Sequence, residues 1–252
     1  MIDDLCILIP SRIGSTRITN KPLIKLNNKT LIQRVMINAL KVTKNSYVAT
    51  DSELIRDNIY EISKNVILTK DDHISGTDRI CEAANSLRLN ENTFILNLQG
   101  DEPFIPSQLI ELVIKDFKSK KCDVITVSGV INSEDEILNP NCVLVETDFN
   151  NYATNFSRTQ KINNPRRHIG IYGYRLKTLR KLVSLEPTKN ELKLKLEQMR
   201  FLDNKYSIFV SEFDQTIPNG IDTKDDIVTA INYLNKHEDC LLYTSPSPRY
   251  DR

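Results

Sequence analysis

One stretch decides the fold: Leu5-Cys6-Ile7-Leu8-Ile9-Pro10-Ser11-Arg12-Ile13-Gly14-Ser15-Thr16-Arg17, followed by Lys21-Pro22-Leu23. A short apolar run that stops at a proline is typical of a buried parallel strand. The loop that leaves this strand is rich in cations and hydroxyls, and in α/β folds such loops face the carboxyl edge of the sheet, where ligands bind. The stretch therefore predicts a polyphosphate site, with a solvated basic loop as the alternative.

The composition is that of an ordinary globular protein. The chain has 252 residues, of which 40% are hydrophobic and 27% charged, with a net charge of +1. This length is enough to bury a substantial core. Because the net charge is close to zero, it predicts neither nucleic-acid nor membrane binding, and any polyanion site must be local.

Membrane insertion and disulfides are not expected. No apolar run approaches the roughly 20 residues of a membrane span, and the N-terminus lacks a basic leader. The five cysteines are odd in number and widely spaced: Cys6, Cys81, Cys122, Cys142 and Cys240. We therefore expect free, mostly buried thiols in a cytoplasmic protein.

Strand-like and helix-like runs alternate through the first half of the chain. Strands are predicted at 5–9, 47–50, 66–68, 93–98 and 123–127, and helices at 31–40, 76–89 and 107–117. Such alternation predicts an α/β fold with a parallel sheet covered on both faces. The second half adds longer strands at 143–146, 169–174 and 206–210, a charged helix at 191–201 and a last helix at 223–234.

The chain is predicted to form a single domain over residues 1–238. We find no internal repeat and no Gly/Ser linker, so a mixed-sheet lobe at about 140–210 is expected to be embedded in that domain. Residues 239–252 contain two Ser-Pro steps, which disfavour a continued helix from Cys240 onwards. We expect this tail to lie outside the fold.

Two acidic positions, Asp101 and Asp222, are candidate metal ligands. Asp101 follows the fourth predicted strand in Gln99-Gly100-Asp101-Glu102-Pro103, where Gly100 lets the backbone approach a ligand. Asp222 stands just before the last helix, whose first-turn acids Asp225 and Asp226 are better explained by the helix dipole. Mg²⁺ takes one or two such carboxylates and completes its shell with phosphate and water. The alternative for Asp101 is an ordinary turn.

The three histidines give weaker indications. His237 is predicted to lie at a surface helix end, and His73 opens a polar loop that precedes a helix. His168 follows Arg166 and Arg167, which favours a role towards an anionic substrate. The Cys and His spacing fits no zinc site, and neither a Gly-x-Gly-x-x-Gly nor a Walker sequence occurs. These absences disfavour a dinucleotide dehydrogenase and a P-loop kinase.

A set of collinear motifs resembles the 3-deoxy-manno-octulosonate cytidylyltransferase (CMP-Kdo synthetase) family over residues 5–236. The motifs are Ile9-Pro10-Ser11-Arg12, Ser15-Thr16-Arg17, Lys21-Pro22-Leu23, Ala49-Thr50-Asp51, His73-Ile74-Ser75-Gly76-Thr77-Asp78-Arg79, Asn97-Leu98-Gln99-Gly100-Asp101-Glu102-Pro103, Asn139-Pro140-Asn141, Phe156-Ser157-Arg158, His168-Ile169-Gly170-Ile171-Tyr172-Gly173-Tyr174, Leu196-Glu197-Gln198-Met199-Arg200 and Gly220-Ile221-Asp222-Thr223. Each motif alone is weak, and together in this order they are specific.

The resemblance implies a Rossmann-like nucleotidyltransferase fold with a mixed central sheet and a small lobe for dimerisation and sugar binding. It implies a cytoplasmic homodimer that uses Mg²⁺ to join CTP and 3-deoxy-manno-octulosonate (Kdo), an acidic sugar, into CMP-Kdo for lipopolysaccharide biosynthesis, with release of pyrophosphate. No nucleic acid and no membrane insertion are implied.

The resemblance also implies roles for individual residues. The catalytic residues are Arg12, Lys21, Asp101 and Asp222; Arg12 and Lys21 contact the triphosphate, and Asp101 and Asp222 hold the magnesium ion. The nucleotide-binding residues are Pro10, Ser11, Arg12, Ser15, Lys21, Ser75, Gly76, Arg79, Gln99 and Gly100. The residues for the acidic sugar are Arg158, His168, Tyr172, Glu197 and Gln198.

Two departures from the family pattern leave alternatives open. Asn20 stands where the family usually has glycine, and residues 159–167 form a shorter segment than usual. Asparagine tolerates a positive φ better than most residues, so the loop conformation is compatible with Asn20. The alternatives are another acidic sugar, such as 8-amino-Kdo or a sialic acid, and a nucleotide-binding homologue without catalysis.

Overall fold

The computed structural model describes residues 4–14, 17–131, 134–139, 141–158 and 162–242. The strands are β1 (Leu5–Ser11), β2 (Lys25–Leu26), β3 (Lys29–Thr30), β4 (Ser46–Thr50), β5 (Val66–Leu68), β6 (Phe94–Leu98), β7 (Val124–Gly129), β8 (Leu144–Thr147), β9 (Ala153–Ser157), β10 (Arg166–Arg175) and β11 (Ile208–Phe213). The helices are α1 (Leu31–Val42), α2 (Glu53–Tyr60), α3 (Gly76–Ser86), α4 (Ser107–Ser119), α5 (Glu134–Leu138), α6 (Leu176–Val183), α7 (Lys189–Leu194), α8 (Gln198–Asp203) and α9 (Lys224–Leu242), with a 3₁₀ helix at Lys21–Leu23.

A mixed sheet of nine strands carries the fold, which confirms the mixed central sheet that the family resemblance implied. Its main path runs β11-β7-β10-β6-β1-β4-β5, and the β8–β9 hairpin attaches through β8 to β10. Strand β1 pairs in parallel with β4 and with β6, whereas β10 is antiparallel to both β6 and β7. The carboxyl ends of β1, β4 and β6 therefore meet at one edge.

The side chains of β1 explain why both faces of this sheet are covered. Successive residues of a strand point to opposite faces. Ile7 and Ile9 belong to one hydrophobic cluster and Cys6 and Leu8 to the other, and all four are almost completely buried. The apolar run thus has no polar face, which is the pattern of a central parallel strand.

The helices divide between the two faces in the same way. Apolar residues of α1 and α4 join the cluster that contains Ile7, and those of α3 and α6 join the cluster that contains Leu8. Helix α1 begins with a capping box, in which Thr30 Oγ1 accepts from the Gln33 amide and Gln33 Oε1 accepts from the Thr30 amide.

The predicted helix at 191–201 is wrong. Lys195 has a φ of 54° and ends α7 in the left-handed region, so two short helices replace one. Helix α8 then contacts α7, and Arg200 forms an ion pair with Glu191 across the break. A tertiary contact has overridden the helical periodicity.

The last helix is longer than predicted. Helix α9 extends to Leu242, whereas the sequence predicted a helix that ends at 234 and no helix from Cys240 onwards. The first Ser-Pro step is Ser245-Pro246, and a proline restricts only itself and the residue before it. The rest of the tail lies outside the described residues.

Two general properties complete the description. Among the described helices, none combines the length and apolar character that crossing a membrane would require. Cys6, Cys81, Cys122 and Cys142 are free thiols.

Candidate active site

The cation-bearing loop leaves β1 at the carboxyl edge and returns through the 3₁₀ helix. Asn20 precedes that helix with a φ of 52° and a ψ of 36°, a left-handed conformation that asparagine tolerates. Pro22 stands in the first turn of the 3₁₀ helix and is buried. This turn fixes Lys21, so that its ammonium points towards the ends of two other segments.

Lys21 brings Asp101 and Asp222 together. Its Nζ donates to Asp101 Oδ2 at 2.8 Å, to Asp222 Oδ1 at 3.1 Å and to the Ile221 carbonyl at 2.7 Å. The Ile221 amide also donates to the Asp101 carbonyl at 2.9 Å, so the two segments are joined through the backbone as well. Residues that lie 121 positions apart in sequence thus share one ammonium group.

The charges of this cluster are balanced locally. Burial opposes the charged form of Lys21, but the carboxylates of Asp101 and Asp222 outweigh it and raise the pKa of the ammonium. Arg17 Nη2 lies 3.1 Å from Asp222 Oδ1 and adds a second, more exposed cation. Two cations therefore face two acids at the edge of the sheet.

The acid pair fits a divalent cation. Both carboxylates offer hard oxygen donors that are about one-third exposed, and a positive charge already lies between them in the form of the Lys21 ammonium. Within the described ranges, no group of three or more His, Cys, Asp or Glu side chains stands ready to hold a metal. An ion on Asp101 and Asp222 would thus complete its shell with phosphate oxygens and water.

Glu102 is a site residue that the sequence did not single out. Burial, with the charge of Asp101 adding to it, raises the pKa of Glu102 to about 8. A Cβ added at Gly220 would lie 3.0 Å from Glu102 Oε1, which shows how closely the loop before α9 covers this carboxyl. The raised pKa favours the neutral form of Glu102, so this residue adds less negative charge to the acid pair than a free carboxylate would.

The start of α3 forms the opposite wall. Ser75 is the N-cap, and its Oγ accepts from the Asp78 amide at 3.1 Å, while Asp78 Oδ2 accepts from the Ser75 amide. A Cβ added at Gly76 would lie 3.1 Å from Pro10 Cγ, so α3 begins directly against the end of β1.

A first cavity of about 270 Å³ lies between these walls. Its lining residues come from the β1 loop, the end of β6, the start of α3 and the loop before α9: Pro10, Ser11, Arg12, Arg17, Lys21, Pro22, His73, Ile74, Ser75, Gly76, Arg79, Gln99, Gly100, Asp101 and Asp222. All the residues predicted for catalysis are among them. The predicted nucleotide-binding residues are there too, except Ser15, which lies outside the described residues.

Arg79 plays a different part from an exposed anion ligand. It is 2% exposed, and its guanidinium donates to Asp51 Oδ2 at 2.9 Å, to Thr69 Oγ1 at 2.6 Å and to the Lys70 carbonyl at 3.0 Å. Asp51 Oδ1 in turn accepts from the Ile13 amide at 3.3 Å. Arg79 therefore links α3, the end of β4 and the cation-bearing loop.

A second, wider cavity of about 980 Å³ adjoins the first. Among its lining residues are Arg158 and His168, both predicted for the sugar, together with Asn139, Asn141 and Lys195. Arg17, Gln99, Asp101 and Asp222 line both cavities. The acid pair thus stands where the two spaces meet.

Three residues predicted for the sugar are not among the residues that line this cavity. Tyr172 packs against the His168 ring, with ring centroids 5.4 Å apart. Glu197 accepts from Thr77 Oγ1 at 2.6 Å, which directs it towards α3. Gln198 begins α8 and is 5% exposed.

The fold and the site define an α/β protein of the nucleotide-binding class, with its ligand cleft at the carboxyl edge of a mixed sheet. Among protein families, the one described as cytidylyltransferase matches residues 6–209. A cytidylyltransferase structure from Leptospira borgpetersenii shares the fold with a TM-score of 0.56 at 19% identity, and covers 97% of this chain and 99% of that one.

Proteins with higher sequence identity to this chain identify the family more precisely. A 3-deoxy-manno-octulosonate cytidylyltransferase from Thermodesulfovibrio yellowstonii is 37% identical over 92% of this chain and 98% of its own. The protein of that name from Francisella tularensis subsp. holarctica is 39% identical over 88% and 94%. The structure of CMP:2-keto-3-deoxy-manno-octonic acid synthetase complexed with CTP superposes with a TM-score of 0.86 at 28% identity, over 93% of this chain and 100% of that one. The chain belongs to the 3-deoxy-manno-octulosonate cytidylyltransferase family.

Proposed function

We propose that this protein transfers the cytidylyl group of CTP to Kdo and releases pyrophosphate. One observation carries the proposal: Asp101 and Asp222 line both cavities, so ligands in the two spaces would meet at the acid pair. The family, and the solved relative that is complexed with CTP, support the nucleotide. The names of the curated relatives support the sugar.

The protein's part in this reaction is alignment and charge neutralisation. The sugar hydroxyl must approach the α-phosphorus in line with the departing pyrophosphate, and all three groups carry or develop negative charge. Arg12 presents a planar fork to phosphate oxygens, whereas Lys21 acts as a point charge. Removing one oriented charge of this kind typically costs a hundredfold or more in rate, or ~3–4 kcal/mol.

We further propose that Asp101 and Asp222 hold Mg²⁺. When bound, the ion would lower the pKa of a coordinated hydroxyl and neutralise phosphate charge. The support is the chemistry of the donor set described above: two hard oxygen donors around a position that attracts a cation.

On the sugar side, Arg158 and His168 line the wider cavity. The Arg158 guanidinium suits the carboxylate of an acidic sugar, because its planar fork matches carboxylate geometry. Tyr172, Glu197 and Gln198 stay predictions for this side of the site.

The decisive experiment is a nucleotide-by-sugar matrix with pyrophosphate detection. We expect release that needs CTP, Kdo and Mg²⁺ together. Asp101→Asn keeps the size of the side chain and removes its charge, so turnover should fall at least a hundredfold while the thermal unfolding curve stays cooperative. Asp57→Asn is the matched control, because Asp57 lies on the surface of α2 and pairs only locally with Arg56.

The outcomes separate the proposal from its alternatives. Release with 8-amino-Kdo or a sialic acid in place of Kdo would keep the chemistry and change the acceptor. CTP binding in a calorimeter without pyrophosphate release from any sugar would indicate a homologue that binds nucleotide without catalysis. Full activity of Asp101→Asn would remove Asp101 from the mechanism.

We also propose that the protein works in the cytoplasm as a homodimer and supplies CMP-Kdo for lipopolysaccharide biosynthesis. The free thiols of Cys6, Cys81, Cys122 and Cys142 suit a reducing compartment. The dimer and the biosynthetic role rest on the family resemblance.

A further inference from the structure

Strand β10 has an irregularity next to the wider cavity. Ile169 pairs with Val127 and Gly173 pairs with Ile125, so three residues of β10 lie opposite the single residue Thr126 of β7. Such a bulge removes backbone groups from the regular ladder and re-aims side chains. At this bulge a side chain hydrogen-bonds to the backbone: the Thr126 hydroxyl donates to the Ile171 carbonyl at 2.8 Å.

The same hydroxyl determines which nitrogen of His168 carries a proton. Thr126 Oγ1 also lies 2.9 Å from His168 Nε2. A threonine hydroxyl has one proton, and Thr126 has given it to the Ile171 carbonyl, which can only accept. The bond to His168 must therefore run the other way, from Nε2–H to Oγ1. The imidazole is the Nε2–H tautomer, and its lone pair lies on Nδ1.

His168 is among the residues that line the wider cavity. No hydrogen bond joins Nδ1 to any described residue, and Nδ1 is not among the fully buried side-chain atoms that lack a partner. The ring plane is held on two sides by Phe156 and Tyr172, with centroid distances of 5.1 and 5.4 Å.

The ring also stays neutral. Burial, with the charge of Arg158 adding to it, lowers the pKa of His168 to about 3. The sequence suggested that His168 joins its neighbouring cations in binding an anion. The structure gives it the opposite character, because an uncharged ring whose lone pair has no partner among the described residues repels a carboxylate and attracts a hydroxyl proton.

We propose that Thr126 is a positioning residue for the sugar acceptor: it fixes the tautomer of His168 so that Nδ1 accepts a hydrogen bond from a sugar hydroxyl. The inference rests on the proposed function for the identity of the ligand, and on Thr126 and His168 alone for the tautomer. Arg158 and His168 would then recognise different groups of an acidic sugar. The Arg158 guanidinium would bind the carboxylate, and the neutral His168 imidazole would accept a hydrogen bond from a hydroxyl. A ligand with a carboxylate but no hydroxyl would use only half of this pair.

The tautomer is tested without any turnover. Long-range ¹H–¹⁵N correlation spectra of protein labelled with ¹⁵N-histidine distinguish a protonated ring nitrogen from a bare one, and His168→Gln assigns the signals among the three histidines. We expect His168 to show a protonated Nε2 and a bare Nδ1 at neutral pH in the wild type and in Thr126→Ser. A protonated Nδ1 or a doubly protonated ring in the wild type would overturn the proposal.

The role towards the sugar is tested by titrating the labelled protein with Kdo. We expect the Nδ1 resonance to move upfield more than that of Nε2, because Nδ1 gains a hydrogen bond. Movement of other resonances with an unchanged Nδ1 would overturn this role. Failure of Kdo to perturb any resonance would count against the proposed function, while the tautomer would still be decided by the free protein.

Steady-state kinetics give the third readout. Thr126→Val should raise the KM for Kdo about fivefold to tenfold, the worth of one aligned hydrogen bond, and leave the KM for CTP unchanged. Thr126→Ser should restore the wild-type KM. Ser128→Ala is the matched control on the same face of β7, since the Ser128 hydroxyl bonds to Arg166 instead. Equal KM values for Kdo in Thr126→Val and Ser128→Ala would overturn the positioning role.

Discussion

His168 connects the site to the pH dependence of stability. Its folded-state pKa is lowered from 6.5 to about 3, because burial and Arg158 disfavour the charged ring. The unfolded chain takes up the proton near 6.5, so acid favours the unfolded state throughout this window. The stability linked to His168 is therefore fully present above pH 6.5 and is lost as the pH falls towards 3.

We expect His168→Gln to flatten that dependence. Relative to the variant, the wild type should lose about 1.4 kcal/mol of unfolding free energy for each pH unit below 6.5. Urea unfolding at pH 7, 6 and 5 measures the difference. Equal slopes for the wild type and His168→Gln would contradict the neutral state of His168.

At the scale of residues, the sequence predicted the groups whose place follows from strand and helix ends. Arg12 and Asp101 follow apolar runs and Asp222 precedes a helix, so their common edge could be inferred from the order of elements. Glu102 and Thr126 were missed for a physical reason. The pKa of Glu102 depends on the loop that covers it, and the role of Thr126 depends on a side chain 42 positions away.

Between elements, the close approach of β1 and the end of β6 depends on Gly100. The sequence suggested that this glycine lets a ligand approach the backbone. The structure adds a neighbour within the protein: a Cβ at Gly100 would lie 2.6 Å from the Pro10 carbonyl oxygen. Both contact partners are backbone, so neither side can yield by rotating a side chain.

Gly100→Ala should therefore lower the free energy of unfolding by roughly 1–3 kcal/mol, the usual range for overpacking. Gly14→Ala is the matched control, because a Cβ at Gly14 would have no atom of the described, non-adjacent residues within 4 Å. Thermal unfolding of the two variants, compared with the wild type, checks the prediction. An equal Tm for both variants would show that β1 and the loop after β6 can separate without cost.

The elements themselves were predictable to different degrees. Apolar runs gave β1 and β6 to within a residue or two at each end, because these buried parallel strands have no polar face. Strand β9 was missed because its short run, buried at both ends and more exposed at Thr154 and Asn155, does not follow the two-residue period of a half-buried strand. The break at Lys195 was missed because a left-handed lysine has no sequence signal, and only the packing of α7 on α8 stabilises it.

At the scale of the whole molecule, Arg167 ties strand β10 to α5 and to the segment before α9. It lies on β10 and is 4% exposed. Its guanidinium donates to the Ile217 carbonyl at 3.0 Å and to Asn219 Oδ1, and it lies 3.7 Å from Glu136. This contact holds the segment that leads to Asp222.

Arg167→Gln should cost about 1–3 kcal/mol of unfolding free energy, since it leaves the buried Ile217 carbonyl without its donor. Turnover should fall as well, because Arg167 would no longer hold the segment that positions Asp222. Arg166→Gln, next along β10, removes a pair with the exposed Asp214 and should cost less than about 1 kcal/mol. Urea unfolding and pyrophosphate release on both variants make the comparison. Indistinguishable variants would show that the chain reaches Asp222 without this anchor.

Lys21 forms ion pairs with Asp101 and Asp222, so the unliganded protein supplies its own counter-ion to these two carboxylates. Two neighbouring carboxylates would otherwise repel each other and strain the junction between the sheet edge and the final helix. Because the chain itself supplies this ammonium, the protein can fold and remain folded before any ligand binds. An external cation that bound these two acids would replace Lys21 as their partner and would leave its ammonium available to a phosphate.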